Sequence, residues 1–124
     1  MLARLMGLPT ITPRDLDELV RARKVTAYDV NSPGSWERAH VPGAAKLDPA
    51  AFRPEDLPED RSTLLVFYCS NPLCRKAPAA ARRARSFGYE NVRVMSAGIR
   101  GWLDAGLPVE SGEAATASSL PNAT

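Results

Sequence analysis

Cysteine and histidine are scarce in this sequence. Its 124 residues include two cysteines, Cys69 and Cys74, and one histidine, His40. Two closely spaced cysteines do not make the framework of a secreted, disulfide-rich domain, and a single histidine offers little to a metal site. We therefore expect the sulfur to serve thiol chemistry, without a metal.

A strong net charge and long hydrophobic runs are also missing. The 16 basic and 14 acidic residues give a formal charge of +2, so the charge balance predicts neither a nucleic-acid partner nor a membrane partner. The apolar start, residues 1–9, is too short for the core of a signal peptide, and no other run approaches a membrane span. We expect a cytoplasmic protein that acts on small molecules or proteins.

The length of the chain bounds the number of domains. A chain of 124 residues, 44% of them hydrophobic, can bury one real core and is too short for two ordinary domains. The patterned segments lie within residues 11–110, which we predict to form a single domain after a lead at residues 1–10. Residues 111–124 lack aromatic side chains and are predicted to be a disordered tail.

The most informative segment is a short apolar run, residues 64–68, that stops at Cys69. The run predicts a strand buried on both faces, and the Ala- and Arg-rich residues 76–86 predict a helix. Cys69 then lies in a strand-to-helix turn, where backbone N–H groups and a nearby cation such as Arg75 lower the pKa of a thiol. The alternative is that Cys69 is a small hydrophobic residue at the end of a core strand.

The remaining pattern alternates helices and strands. Thr12 followed by Pro13 predicts a helix start, and Gly88 predicts the end of the helix that follows the Cys69 turn. Strands predicted on both sides of that helix form a β-α-β unit, so we expect a largely parallel sheet. Short strands are predicted at residues 25–30, 45–47 and 91–95, a helical turn at 36–40, and a last helix at 99–105.

Four segments carry a resemblance to a known family. They are residues 28–30, residues 36–44, the turn at Cys69, and residues 88–92 with 97–109. In this order and spacing, the segments resemble the rhodanese-like sulfurtransferase domains over residues 11–110. The resemblance implies an α/β domain with a central, mostly parallel sheet of about five strands and helices on both faces.

The resemblance also implies a reaction. Cys69 matches the cysteine that accepts a sulfane sulfur from a donor such as thiosulfate, becomes a persulfide and passes the sulfur to cyanide, a thiol or a protein acceptor. No cofactor is required in this family. The implied partners are therefore a small-molecule sulfur donor and a thiophilic acceptor.

The loop after Cys69 is expected to bind the anionic sulfur. Inward-facing backbone N–H groups would act as fixed donors, and the planar guanidinium of Arg75 would hold an oxyanion such as the sulfonate end of thiosulfate. The alternative for Arg75 is a solvated arginine at a helix start. The predicted donors are the N–H groups of Ser70, Asn71, Leu73, Cys74 and Arg75.

The loop departs from many rhodanese-like loops because it is longer, lacks glycine and contains Pro72. A cysteine followed after five residues by Arg75 also resembles the loop of cell-cycle phosphatases and some arsenate reductases on the same fold. Pro72 removes one N–H donor from such a cradle, and Tyr68 stands where those phosphatases typically have histidine. We therefore favour sulfur transfer, with an oxyanion-processing enzyme or a non-catalytic persulfide-binding module as alternatives.

Cys74 allows two interpretations. As a resolving cysteine, it would form a disulfide with an oxidised or persulfidated Cys69. As a structural residue, it would be buried in the first turn of the following helix. The choice depends on the Cβ geometry of the two residues.

Three further residues are expected to support the framework. His40 precedes a Pro-Gly turn, which makes a structural role more plausible than general-base catalysis despite its suitable unperturbed pKa. Asp29 and Glu37 resemble framework positions of the family. We expect their side chains to hydrogen-bond loop backbone.

Overall fold

The computed structural model describes residues 7–112. It contains four helices, α1 to α4, and four strands, β1 to β4. The predicted lead at residues 1–10 and the predicted tail at 111–124 fall largely outside the described residues. The elements are, in chain order, α1 Pro13–Arg21, β1 Thr26–Asp29, α2 Pro33–Arg38, β2 Ala45–Lys46, a 3₁₀ turn Pro54–Asp56, β3 Leu65–Tyr68, α3 Lys76–Ser86, β4 Val92–Val94 and α4 Gly98–Asp104.

The strands form one parallel sheet in the order β2-β1-β3-β4. This confirms the α/β class and the parallel sheet, but the sheet has four strands and the expected count of about five is wrong. Thr10 occupies the fifth position through an isolated parallel bridge to Val94. The pairing does not extend, because Pro13 lacks an N–H and α1 begins there.

Helices cover both faces of the sheet, as the resemblance implies. Along β3, successive side chains point to opposite faces, so Phe67 and Cys69 lie in the core beneath α3. Tyr68 lies in the other core, with Leu16 of α1 and Trp102 of α4. All four residues of β3 are buried, which is why the run has no polar alternation.

Two helices begin at a side-chain cap, Thr12 for α1 and Ser32 for α2. The Thr12 side chain caps α1 by accepting the Asp15 N–H at 3.1 Å. The second helix was predicted too late in the chain, since α2 begins at Pro33 after a Ser32 cap rather than at residue 36. It also ends earlier, because Ala39 is extended.

In the β3-α3-β4 unit, the helix has the predicted boundaries, β3 begins one residue later than predicted, and β4 is one residue shorter at each end. Helix α3 spans the predicted residues 76–86, and Gly88 follows it with a positive φ of 99°. Glycine adopts this conformation without the steric penalty of a Cβ atom. Within residues 7–112, none of the helices is long and apolar enough to cross a membrane.

Candidate active site

The cysteine loop, residues 69–75, connects the carboxyl end of β3 to the start of α3. Two backbone hydrogen bonds fasten it to α4, from Ile99 N–H to the Cys69 carbonyl at 2.8 Å and from Arg100 N–H to the Ser70 carbonyl at 3.1 Å. Cys69 is 3% exposed. Because Cys69 directly follows β3, its sulfur lies at the carboxyl edge of the parallel sheet, where α/β folds bind ligands.

Cys69 and Cys74 form a disulfide within the loop. Their Cα atoms are 6.4 Å apart, inside the range that a disulfide normally spans. Cys74 is half-buried and packs at the border of the core beneath α3. The structure thus combines features of both interpretations of Cys74, since this residue packs on the core and is also bonded to Cys69.

The predicted donors of the loop are partly engaged in this disulfide form. Asn71 accepts two of them, the Leu73 N–H on Oδ1 at 2.9 Å and the Cys74 N–H on its carbonyl at 3.1 Å. These two N–H groups therefore turn inward on the loop rather than toward an incoming anion. A rearrangement of Asn71 would be needed to release them.

Arg75 lies at the N-cap position of α3 and is exposed. Its side chain makes no hydrogen bond or ion pair with any residue from 7 to 112. The guanidinium is therefore available to a ligand at the rim of the loop. Leu73 is also exposed, at 82%, so the tip of the loop presents an apolar side chain to solvent.

A chain of polar contacts lies beneath the loop. The Ser70 hydroxyl donates to Asn31 Oδ1 at 2.6 Å, and the Asn31 N–H donates to Asp29 Oδ1 at 2.8 Å. Asp29 is the last residue of β1, next to β3, and Asn31 lies two residues after it. The predicted framework role of Asp29 matches this contact with loop backbone, although its partner is the turn after β1 rather than the cysteine loop.

Burial dominates the electrostatics of this polar chain. It raises the pKa of Asp29 above the usual 3.8, and the Asn31 N–H and the neighbouring Tyr68 hydroxyl only partly offset it. Asp29 Oδ2 and Asn31 Nδ2 are buried without a hydrogen-bond partner among the described residues. Burial and the nearby Asp29 carboxylate also raise the pKa of Tyr68, whose hydroxyl oxygen accepts the Val41 N–H at 2.9 Å.

The substitution Asp29→Asn is expected to change how stability depends on pH. A raised folded-state pKa means that Asp29 contributes stability fully below the usual pKa of 3.8 and loses it as the pH rises through the folded-state value. The free energy of unfolding of wild type minus that of the variant should therefore fall as the pH rises from 3.8 toward neutrality. Urea titrations across this pH range measure the difference.

Asp60→Asn is the matched control for that measurement. Asp60 is exposed, and hydrogen bonds from Ser62 lower its pKa, so its contribution is present at higher pH and is lost as the pH falls. The free energy of unfolding of wild type minus that of the variant should therefore fall with rising pH for Asp29→Asn and increase with rising pH for Asp60→Asn. If the free energies of unfolding of Asp29→Asn and wild type changed in parallel with pH, the pKa of the Asp29 carboxyl would not be raised by folding.

His40 lies apart from the cysteine loop, in a second buried group. Its ring stacks on Trp36 with centroids 4.0 Å apart, and Nδ1 donates to the Trp36 carbonyl at 2.7 Å. Nε2 lies 3.7 Å from a carboxylate oxygen of Glu110, and the two residues pair through their backbones. These contacts hold the turn after α2, and the framework role of His40 stays a prediction.

Glu37, the third predicted framework residue, lies in α2 and is exposed. Its carbonyl accepts the N–H of Gly112, which ties α2 to the end of the described chain. The contact uses the backbone of Glu37, and the carboxylate has no described partner. The side-chain bond to loop backbone expected from the sequence is therefore not seen.

The sequence patterns did not identify three residues that contact the loop. Asn31 belongs to a segment that composition marks only as a turn, although its backbone and side chain join β1 to Ser70. Arg100 reaches the loop through its backbone, which sequence does not reveal. Gly98 has a φ of 72°, and a Cβ atom there would lie 2.5 Å from the Ser70 carbonyl carbon. In the sequence, the one sign of this close contact is a glycine at the start of a short helix.

Metal binding finds no support in the arrangement of side chains. Among residues 7–112, no three His, Cys, Asp or Glu side chains cluster in a way that could hold a metal ion.

Comparison with known proteins agrees with the fold. The rhodanese-like domain family matches residues 12–105. A solution structure of a rhodanese-like domain from Anabaena superposes with a TM-score of 0.72 at 18% identity, covering 94% of this chain and 89% of that one. The chain belongs to the rhodanese-like domain family.

Two curated relatives show the range of proteins in which such a domain occurs. The human thiosulfate:glutathione sulfurtransferase is 27% identical over 112 residues, which cover 79% of this chain and 96% of the relative. An HTH-type transcriptional regulator of Mycobacterium tuberculosis is 37% identical over 114 residues. That match covers 89% of this chain but 49% of the regulator, and the chain spans about half the length of the first curated relatives it matches.

Proposed function

We propose that the chain is a sulfurtransferase that moves a sulfane sulfur through a persulfide on Cys69. The observation that carries the proposal is the place of Cys69, which directly follows the inner strand β3 and begins a loop held by hydrogen bonds to α4. Membership of the rhodanese-like family and a sulfurtransferase relative support it. The donor is a small molecule such as thiosulfate, and the acceptor is cyanide, a thiol or a protein.

The reaction has two displacement steps. The Cys69 thiolate attacks the outer sulfur of thiosulfate, the sulfur–sulfur bond breaks, and sulfite leaves with the electron pair. The acceptor nucleophile then attacks the outer sulfur of the Cys69 persulfide, and the Cys69 thiolate leaves. With cyanide the product is thiocyanate, and the enzyme returns to its starting state without net oxidation or reduction.

The surrounding groups would stabilise negative charge in both steps. The exposed Arg75 guanidinium at the rim can bind the sulfonate oxygens of the donor through a planar pair of hydrogen bonds. The N–H groups of the loop would bind the terminal sulfur of the persulfide. Because Asn71 engages two of them in the disulfide form, we expect the reduced loop to present more donors than the oxidised one.

A direct test uses the reduced protein with thiosulfate. Mass spectrometry should show the gain of one sulfur atom on Cys69, and subsequent cyanide should remove it as thiocyanate. Absence of both the mass gain and the thiocyanate in the reduced wild type would contradict the proposal.

Sulfur transfer is expected to require prior reduction of the disulfide. Cys69 in the Cys69–Cys74 disulfide has no thiolate, and the thiolate is the nucleophile. Protein treated with an oxidant should therefore produce thiocyanate at least about tenfold more slowly than protein reduced with a dithiol and then freed of it, since only the thiolate fraction reacts. The Cys74→Ser variant should lose this difference, because it cannot form the loop disulfide.

A persulfide-responsive or redox-responsive module is the second candidate. The disulfide and the match to part of a transcriptional regulator favour it. In this function, the Cys74 thiolate attacks the inner sulfur of the Cys69 persulfide, hydrosulfide leaves, and the disulfide forms. Thiosulfate-loaded protein would then release hydrosulfide once per molecule without added thiol, and peroxide treatment would give the same Cys69–Cys74 linkage by mass spectrometry. Neither product would form if Cys74 has only a packing role.

A further inference from the structure

A cavity adjoins the cysteine loop on the side of β1 and β2. Its volume is about 380 Å³, and it opens between the carboxyl ends of these strands and the start of α3. Val30 and Leu47 form part of an apolar wall, while Lys46 and Lys76 contribute positive charge. A cavity of this size is in the range that small organic ligands occupy.

Asn31 connects the cavity to the cysteine loop. It lines the cavity, and its Oδ1 accepts the hydroxyl of Ser70, the residue after Cys69, at 2.6 Å. Its Nδ2 is buried and has no hydrogen-bond partner among residues 7–112. A buried amide without a partner is costly, and a ligand acceptor group would relieve that cost.

The charges around the cavity favour an anion. The ammonium group of Lys76 is exposed and makes no ion pair or hydrogen bond with the described residues, and Lys46 Nζ lies 5.0 Å from the Trp36 ring centroid. The one carboxylate of the lining, Asp48, already accepts the Ala50 N–H at 2.9 Å. Lys76 begins α3 and Lys46 ends β2, so two lysines and one carboxylate line the cavity.

The combination of size, apolar wall and positive charge distinguishes an organic anion from an inorganic one. Thiosulfate has no carbon skeleton to place against Val30 and Leu47, and Arg75 at the rim can serve its sulfonate group. A carboxylated organic molecule uses both parts of the cavity. Its position beside the loop suits the molecule that must reach the outer sulfur of the persulfide.

We propose that this cavity is the acceptor subsite, and that it binds a small organic thiol whose carboxylates pair with Lys46 and Lys76. The proposal rests on the proposed sulfur transfer through Cys69. The acceptor thiol loses its proton to solvent, and its thiolate attacks the outer sulfur of the persulfide. The sulfur–sulfur bond breaks, Cys69 leaves as a thiolate, and the acceptor departs as a persulfide.

The test compares acceptors with and without carboxylates, with thiosulfate as the donor. Glutathione carries two carboxylates, whereas 2-mercaptoethanol and cyanide carry none. The double substitution Lys46→Gln and Lys76→Gln should raise the KM for glutathione about fivefold to tenfold, the effect expected of two solvent-exposed ion pairs, and should leave kcat nearly unchanged. The KM values for 2-mercaptoethanol and cyanide should stay the same.

Lys24→Gln is the matched control, because Lys24 is exposed and precedes the opposite end of β1. An unchanged KM for glutathione in the double variant, with normal thiocyanate formation, would overturn the acceptor subsite but not sulfur transfer. Equal increases for all acceptors would also overturn it. Binding of the unreactive S-methylglutathione, followed by NMR in wild type and double variant, tests the subsite even if the wild type transfers no sulfur.

Discussion

The substitution Cys69→Ser is expected to reduce thiocyanate formation to the background rate, a loss of about a thousandfold or more. A serine hydroxyl does not ionise near neutral pH and cannot hold the sulfane sulfur as a persulfide. The loss should appear in kcat with thiosulfate and cyanide as substrates. Because Cys69 is a small buried residue, the serine variant should keep the fold, which circular dichroism can check.

Cys74→Ser is the matched control for this prediction. It removes the disulfide partner and leaves the nucleophile, so the reduced variant should retain most of the wild-type activity. Activity that survives Cys69→Ser but disappears in Cys74→Ser would mean that Cys74 is the nucleophile. Hydrolysis of an aryl phosphate without sulfur transfer would instead favour the phosphatase reading of the Cys69-to-Arg75 spacing, and thiol-coupled arsenate reduction would favour a reductase.

Gly98→Ala is expected to destabilise the fold and to disturb the cysteine loop. The added Cβ would lie 2.5 Å from the Ser70 carbonyl carbon and 2.6 Å from the Asn71 nitrogen, both in the loop backbone. Backbone atoms cannot move aside as a flexible side chain can, and the φ of 72° adds a penalty of its own. We expect a loss of about 3 kcal/mol in the free energy of unfolding, from roughly 1–2 kcal/mol of backbone strain and a similar cost of overpacking.

The same substitution should damage activity beyond its effect on stability. Gly98 precedes Ile99 and Arg100, whose N–H groups hold the carbonyls of Cys69 and Ser70. A shift of the loop by about 1 Å would misplace the nucleophile and lower kcat roughly tenfold to a hundredfold. The measurement is thiocyanate formation at a temperature where the variant remains folded.

Gly106→Ala separates the two contributions. Gly106 has the same φ of 72°, but a Cβ atom there meets nothing within 4 Å. This variant should lose only about 1–2 kcal/mol and keep its activity. Equal losses of unfolding free energy and of thiocyanate formation in Gly98→Ala and Gly106→Ala would show that the close contact between Gly98 and the loop does not affect activity.

The disulfide and the loop backbone belong to one conformational state. In this state, Cys69 has no free thiol, and Asn71 accepts the N–H groups of Leu73 and Cys74. Reduction would free the nucleophile and would allow Asn71 to release those donors. The dependence of activity on reduction, and its absence in Cys74→Ser, therefore report on the loop as a whole.

Residue types and spacing were sufficient for the order of the elements and for the position of Cys69 in a strand-to-helix loop. The apolar run that ends at Cys69 has the composition of a strand buried on both faces, and the structure places it at the centre of the sheet. Helix α3 follows from its Ala- and Arg-rich composition and the glycine after it. These features are local, because propensity, capping and side-chain periodicity depend on neighbours in the chain.

The expected fifth strand comes from the family resemblance, whereas the local patterns predict the four strands that the structure contains. Residues 8–11 have suitable side chains, yet whether they form a strand depends on the partner at β4 and on the available N–H groups. The late prediction of α2 has a local origin, because residues 31–34 have the composition of a turn although Ser32 caps the helix and Pro33 begins it. Both signals are ambiguous until the packing of the surrounding chain is known.

The sequence by itself determined a cysteine in a strand-to-helix loop, an arginine at the end of that loop, and the family that shares this arrangement. Only the tertiary structure decided what surrounds the thiol: the Asn31 bridge to Ser70, the close approach of Gly98, the hydrogen bonds to α4 and the cavity beside the loop. These contacts join residues far apart in the chain, and their energies depend on distance and burial, which no local pattern of residues specifies.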